Sequence, residues 1–256
     1  MMKLAFFKFK LLMKQKLGWA AISAAFILIP FSLFLAVSSF VRPDKIYWDL
    51  TTSFSFIISI LLASYLGSHL FYEEQQRKTL SFVLTLKNSR AEWIYGKLLG
   101  ITFFLALTIL CWTLLMVMGS YLYAGNFGPA ILWQAQLLMF IEVLVILATS
   151  LFFSFFLRPL LAWALTLALM TVLHSKSYLE LLVTEARYQD TTKWLYKGML
   201  FVMNFLPPLE WWDIRMFVGF RESIDLKQML TVISVGFAWS FIIIFLSKNK
   251  MEKMDL

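Results

Sequence analysis

The sequence is poor in charge. Only 15% of its 256 residues are Asp, Glu, Lys or Arg, and 61% are hydrophobic, where a soluble domain carries about 25% charged residues. That excludes a water-soluble globular enzyme, and hydrophobicity this high excludes intrinsic disorder. The lone cysteine, Cys111, lies in an apolar run, so there is no intrachain disulfide framework and no thiolate metal site. The two histidines, His69 and His174, lie far apart near the ends of different apolar runs. No CxxC, HxxxH or HExxH spacing accompanies them, which leaves a metal-dependent membrane enzyme little support. Six prolines and ten glycines are too few for a collagen-like or low-complexity chain. There is no internal repeat and no pair of broken helices of the kind that marks inverted-repeat transporters. The net charge of +8 fits cytoplasmic lysines facing anionic lipid better than it fits nucleic acid.

What is present is a series of long apolar runs. A spanning helix needs about 20 mostly apolar residues, and this criterion predicts six spans, at 18–41, 50–72, 98–123, 131–157, 160–175 and 228–247. Pro30 falls within the first and is expected to kink it. Gly125, Asn126, Gly128 and Pro129 break the long run that begins at Leu98, because that cluster favours a turn. Arg158-Pro159 makes the tight connection into the fifth span.

Lysine and arginine bias orients the chain. With the N-terminus inside, the cytoplasmic segments carry 14 Lys/Arg against five acids, and the outside segments carry nine of each. Both termini are expected in the cytoplasm of a multi-pass protein of the cell (inner or plasma) membrane. A cleaved signal peptide is disfavoured, because the apolar run exceeds the usual 7–15 residues. Residues 1–17 read as a helix along the inner surface, with Lys3, Lys10 and Lys14 on one face and Leu4, Phe7 and Leu11 on another. A plain basic flank that fixes orientation is the alternative.

The segment 176–227 differs in kind. Its apolar stretch Met199 to Leu209 is too short to cross and fits a re-entrant or interfacial helix. Trp211 and Trp212 follow, suited to the headgroup level. Tyr178 to Tyr188 reads as a short amphipathic helix with Leu179, Leu182 and Val183 on one face. A connecting loop without function is the competing reading. The expected fold is therefore all-α and integral to the membrane, a single transmembrane domain over 1–256.

The cytoplasmic segment 73–97 is the most informative. Leu80, Val83 and Leu84 follow the i, i+3, i+4 spacing of one helix face. Glu73 and Glu74 precede that helix, where its positive end favours acid, and Lys87 follows it. A short amphipathic helix with an apolar knob suits docking into a groove on another protein. Ser89 and Glu92 have the spacing of a capping box opening the third span.

With these residues in place, the sequence resembles the ABC-2 type transporter permeases, the membrane subunits of one class of ABC exporter. That family's loop runs as an acid, Gly-Thr-Leu, apolar residues, Pro, Ser-Arg and Gly-Lys. Here Glu74, Thr79-Leu80, Phe82-Val83-Leu84, Ser89-Arg90 and Gly96-Lys97 stand at matching spacings, with Lys78 in place of the Gly and Lys87 in place of the Pro. The resemblance implies a coupling helix docking on a cytoplasmic ATPase subunit, with Glu74, Thr79, Leu80, Val83, Leu84 and Arg90 as the contact. It also implies a second permease, identical or different, so that two permeases and two ATPases assemble. No GxxxxGK[ST] loop occurs in this chain, so ATP and Mg²⁺ are expected on the partner subunit and no cofactor here. The chain is expected to be a transport subunit rather than an enzyme, with lipid around it.

Glu142 is the only acid within an expected span. Eleven residues past Ile131, it lies about 16 Å deep, where insertion of an acid costs roughly 2.5–3.5 kcal/mol. It reads as a translocation-path residue, a hydrogen-bonding partner between helices, or a proton carrier. The last of these belongs to a rival function, a secondary transporter or channel with Glu142 as its proton or cation site. Gln134 and Gln136 could extend a polar stripe from it, although Gln136 lies off its face. His69 and His174 read as interfacial polar residues rather than ligands.

Overall fold

A computed structural model describes residues 1–39, 42–76, 90–125, 128–176, 178–180, 190–214, 218 and 223–252. The elements are α1 (Met2–Lys14), α2 (Lys16–Ser38), α3 (Pro43–Gln76), α4 (Arg90–Ala124), α5 (Ile131–Ser154), α6 (Pro159–His174), α7 (Asp190–Met203), a 3-10 turn (Leu209–Trp211) and α8 (Leu226–Glu252). No strand occurs among the described residues. Five stretches are long and apolar enough to cross a membrane: Gly18–Ser38, Pro43–Leu70, Glu92–Tyr123, Ile131–Ser154 and Leu226–Lys250. They mark a multi-pass membrane protein.

The helix starts differ from expectation for local reasons. Pro43 opens α3 with its φ already helical, and Asp44 sits in the first turn beside the positive helix end. Most of 42–49, expected as an outside loop, is therefore the first two turns of α3. Glu92 does the same for α4, which starts at Arg90, where the Ser89–Glu92 spacing places a helix start and ahead of the apolar run that begins at 98. Helix α2 runs continuously through Pro30. Gly125 and Gly128 both take positive φ, +66° and +82°, and stand between α4 and α5 where a break was expected. The fifth expected span becomes α6. Its 16 residues measure about 24 Å, short of the roughly 30 Å hydrocarbon core, so the six-span expectation reduces to five membrane-length helices and one shorter helix.

Paired positions fix the directions. Ser55 of α3 meets Met139 of α5 and Ser64 meets Ser150, so these two helices run parallel. Along α8, Gly236 lies at Ile141 and Lys250 at Phe156, so α8 runs the same way. Trp112 of α4 meets Ala21 of α2, and Gly119 meets Ile29, so α2 and α4 are parallel to each other. Leu98 and Thr102 share a cavity with Leu144 and Ala148, which sets α4 against α5. Helix α1 packs on the first turns of α4, with Leu4 at Gly96 and Ala5 at Gly100. The start of α1 and the end of α8 therefore lie at one end of the bundle, called here the chain-end face.

The core centres on α5, buried on nearly all sides. Its main partner is α3, which turns toward it a seam of small residues every fourth position: Thr51, Ser55, Ser59, Ala63 and Gly67. The first four are 0–1% exposed. In lipid there is no hydrophobic force between apolar helices, so close backbone approach supplies the attraction. At Gly67 a Cβ would stand 2.8 Å from both the Leu147 carbonyl oxygen and Ser150 Cβ. The hydroxyls of Thr51 and Ser64 donate to carbonyls of their own helix, to Tyr47 O and Ile60 O, and so do not compete with that approach. A second close contact seats the Tyr47 ring against Gly119, its hydroxyl donating to Met116 O at 2.7 Å.

Helix α1 differs from the expected amphipathic pattern. Its buried residues are Ala5, Lys8 and Leu12, while Phe6 and Phe7 are exposed. Lys8 comes inside because Gly100 of α4 has no side chain there; a Cβ on Gly100 would stand 3.0 Å from Lys8 Cβ. Packing, not the charge pattern, chose the face.

Replacing Gly67 by Val should force α3 and α5 apart and cost about 1–3 kcal/mol. Gly198, whose added Cβ would meet nothing within 4 Å, should tolerate Ala without loss. Thermal unfolding in detergent checks both; equal stability of the two variants would contradict the seam.

Candidate functional site

Helices α5 and α6 form an antiparallel hairpin. Arg158 caps α6 in an extended conformation and Pro159 takes the first helical position, which makes the reversal tight. Residues equally far from the reversal then come level, and Glu142 and His174 each stand 16 residues from Arg158 (158 − 142 and 174 − 158). His174 Nε2 lies 3.0 Å from Glu142 Oε1. The carboxylate side chain is 0% exposed and the imidazole 21%. The separation is short enough for an ion pair or for a shared proton.

The ring's other nitrogen fixes the protonation pattern. His174 Nδ1 lies 3.0 Å from the Met170 carbonyl oxygen. A carbonyl cannot donate, so Nδ1 carries the hydrogen and Nε2 faces the carboxyl. Two bare lone pairs at 3.0 Å would repel in a low-dielectric interior. One proton therefore belongs to the pair, either on the carboxyl or on the ring, and the site is neutral overall. Neutrality is what allows it to lie so deep, because an isolated charge there is expensive.

Three further elements close around the pair. Phe56 of α3 meets the His174 ring edge-on, with centroids 5.6 Å apart. Asp213 stands just past the 3-10 turn, on the cavity side of the site. On the face opposite the chain ends, a cavity of about 730 Å³ opens between this turn and the start of α8. Glu210, Asp213, Asp225 and Lys227 line it, with Leu138 at its floor. Leu138 is one helical turn, about 6 Å along the axis, from Glu142. Lys176 Nζ stands 3.9 Å from Glu210 Oε1 and 4.0 Å from Glu180 Oε1. The arrangement is a charged vestibule whose lining residue Leu138 stands one helical turn from the buried acid–imidazole pair.

Before α8, Leu206, Pro207 and Leu209 reach the flank of α5 beside Val145 and Ile146, while Met199, Phe201, Val202 and Phe205 stay exposed; Trp212 departs from its expected headgroup position. It is 1% exposed and its Nε1–H donates to Val232 O at 2.9 Å. A Cβ on Gly236 would strike Ile141, and the Trp212 ring lies at 3.1 Å from the same point. The indole thus locks the dipping segment between α5 and α8, while Trp211 stays half exposed. Leu179 packs against the core; Leu182 and Val183 lie outside the described residues.

The other sequence-derived candidates scatter. Gln134 does not extend the polar stripe; its amide clamps the Ile224 backbone, donating to the carbonyl and accepting from the N–H, both at 3.1 Å. Gln136 turns toward Met116 Sδ, at 4.0 Å. His69 stacks on Tyr65 with centroids 4.0 Å apart and contacts the Tyr65 carbonyl. Glu74 is in the last turn of α3 and Arg90 opens α4, but their side chains are outside the described portion. Thr79, Leu80, Val83 and Leu84 lie outside the described residues altogether. Among those described, no three His, Cys, Asp or Glu side chains gather as a metal site.

His174 is what sequence reading missed. The signal that could have found it is the equal spacing of two ionisable residues about the Arg158-Pro159 reversal. No protein-family model and no curated protein matches the chain.

Changing His174 to Leu leaves a buried carboxyl without its imidazole and should cost about 3 kcal/mol. Adding Glu142→Leu should restore most of that loss. The four members of this double-mutant cycle, compared by thermal unfolding, should show strong coupling; strictly additive effects would mean that the two groups do not act as a pair.

Proposed function

We propose that the chain is the membrane subunit of an ATP-driven exporter of the ABC-2 type, coupled to a separate cytoplasmic ATPase. The observation that carries this reading is the motif over 73–97, with Glu74, Thr79-Leu80, Val83-Leu84, Ser89-Arg90 and Gly96-Lys97 at the family's spacings. The helices agree in order with that layout: a short N-terminal helix, the spanning helices, and short dipping elements before the last span. Gln76 and Arg90, which flank the motif's core, both lie at the chain-end face, since α3 ends there and α4 begins there. That end of the bundle also carries Lys3 at the start of α1, Arg158 ahead of α6, and Lys248 and Lys250 at the end of α8. Under the positive-inside rule it is the cytoplasmic side of the cell membrane.

In this reading α6 and the dipping segment together complete a sixth crossing, α6 from the cytoplasm to the level of Glu142 and the segment from there outward. The ATPase pair closes around two permeases, identical or different, and the apolar knob at Leu80 and Val83 passes that motion to α3 and α4. The α3–α5 seam then carries it to the hairpin that bears Glu142, the translocation-path candidate. ATP and Mg²⁺ bind the partner subunit.

Leu80→Asp or Val83→Asp should abolish co-purification with the ATPase in mild detergent while membrane insertion stays normal. Unchanged co-purification by both variants would refute the docking role. The buried Glu142–His174 pair favours one other reading, a secondary transporter or channel with Glu142 as its proton or cation site. Transport that survives ATP depletion and is lost with Glu142→Gln would favour that alternative.

A further inference from the structure

We propose that a cleft between α6 and α8 holds an acyl chain of an anionic phospholipid from the leaflet on the chain-end side, with Lys250 and Arg158 at its phosphate. The cleft, about 230 Å³, is floored by α5 and walled by residues such as Leu169 and Met170 of α6 and Trp239, Ile243 and Leu246 of α8. Its two hydroxyls are engaged within their own helices: Thr149 donates to Val145 O at 2.8 Å and Thr166 to Ala162 O at 2.7 Å. Among the described residues, no acidic one lines it. The walls therefore suit a hydrocarbon chain and nothing polar.

The dimensions match one leaflet. Leu206, Pro207 and Leu209 of the dipping segment close the deep end. Toward the chain-end face, Trp239, Ile243 and Leu246 form one helical stripe, with steps of four and three residues, and Lys250 continues it at the next step of four. From Trp239 to Lys250 the stripe rises about 16 Å, close to half of the roughly 30 Å hydrocarbon core. At the mouth, Lys250 Nζ sits 4.9 Å from the centre of the Phe156 ring, two residues before the exposed Arg158. Two cations thus stand where a phosphate headgroup would lie, above a slot for its tail.

A membrane-crossing helix suits the cleft less well: its path past the deep end is closed by Leu206, Pro207 and Leu209, and the two cations at the mouth call for an anionic headgroup.

Native mass spectrometry of the protein extracted from mixed phosphatidylcholine–phosphatidylglycerol vesicles tests the site. The wild type should retain one phosphatidylglycerol in preference to phosphatidylcholine. The Lys250→Ala/Arg158→Ala variant changes only exposed side chains, and its preference should fall by about tenfold or more. Leu169→Trp, which fills the slot, should lose retained lipid of both kinds. Equal preference in wild type and the double alanine variant would overturn the proposal, as would undiminished lipid retention by Leu169→Trp. A dimer that Leu169→Trp dissociates, with no retained lipid in the wild type, would also overturn it and assign the cleft to a second copy of the chain.

Discussion

The close approach of α3 to α5 governs this structure. Apolar surface alone cannot hold helices together in a bilayer, because lipid tails satisfy it equally well. Thr51, Ser55, Ser59, Ala63 and Gly67 let two backbones meet along more than four turns, and at Gly67 the contact leaves no space for a methyl group. That contact makes α5 the central helix. Once α5 is central, Glu142 is shielded on all sides, and the tight reversal at Arg158-Pro159 returns α6 against it.

The depth of the site follows from the shortness of α6. Helix α5 continues 11 residues past Glu142 to Ile131, whereas α6 stops at His174. The half of the bundle that α6 leaves vacant on that side is occupied by the dipping segment, pinned by Trp212, and by the charged vestibule. An acid–imidazole pair that shares one proton can remain neutral there, yet it lies one turn from a cavity lined by carboxylates. Phe56 of α3 touches the imidazole directly, so motion of α3 reaches the pair without an intermediary.

Much of the architecture was legible in the sequence. Long uncharged runs mark the membrane-length helices because crossing hydrocarbon demands length and apolarity. The Gly125–Pro129 cluster marks the break between α4 and α5 because glycine supplies positive φ without strain. Of the short apolar stretch at 199–209, Met203 and Leu209 enter the core while Met199, Phe201, Val202 and Phe205 stay exposed. What escaped depends on partners. Lys8 is charged yet buried because Gly100 makes room for its Cβ, and Trp212 is amphipathic yet internal because Val232 offers its indole a carbonyl. Gln134 looked like part of a polar stripe, but its amide is used by the backbone ahead of α8. His174 sits near the end of an apolar run and carries no sign of its own; only the reversal brings Glu142 beside it. The i+4 series of small residues in α3 was open to view, and its spacing could have supplied the α3–α5 contact, as the equal spacing about Arg158-Pro159 could have supplied the Glu142–His174 one.

The depth of the Glu142–His174 pair requires that α6 end inside the bilayer, beneath the vestibule. Single-cysteine labelling in sealed vesicles, in a Cys111→Ser background, measures this most directly. A cysteine at Ser175 should react with impermeant thiol reagents only from the face opposite the chain ends, and more slowly than a cysteine at Ser223 on the vestibule rim. Labelling from the chain-end face, or at the same rate as Ser223→Cys, would place the end of α6 elsewhere and contradict the account.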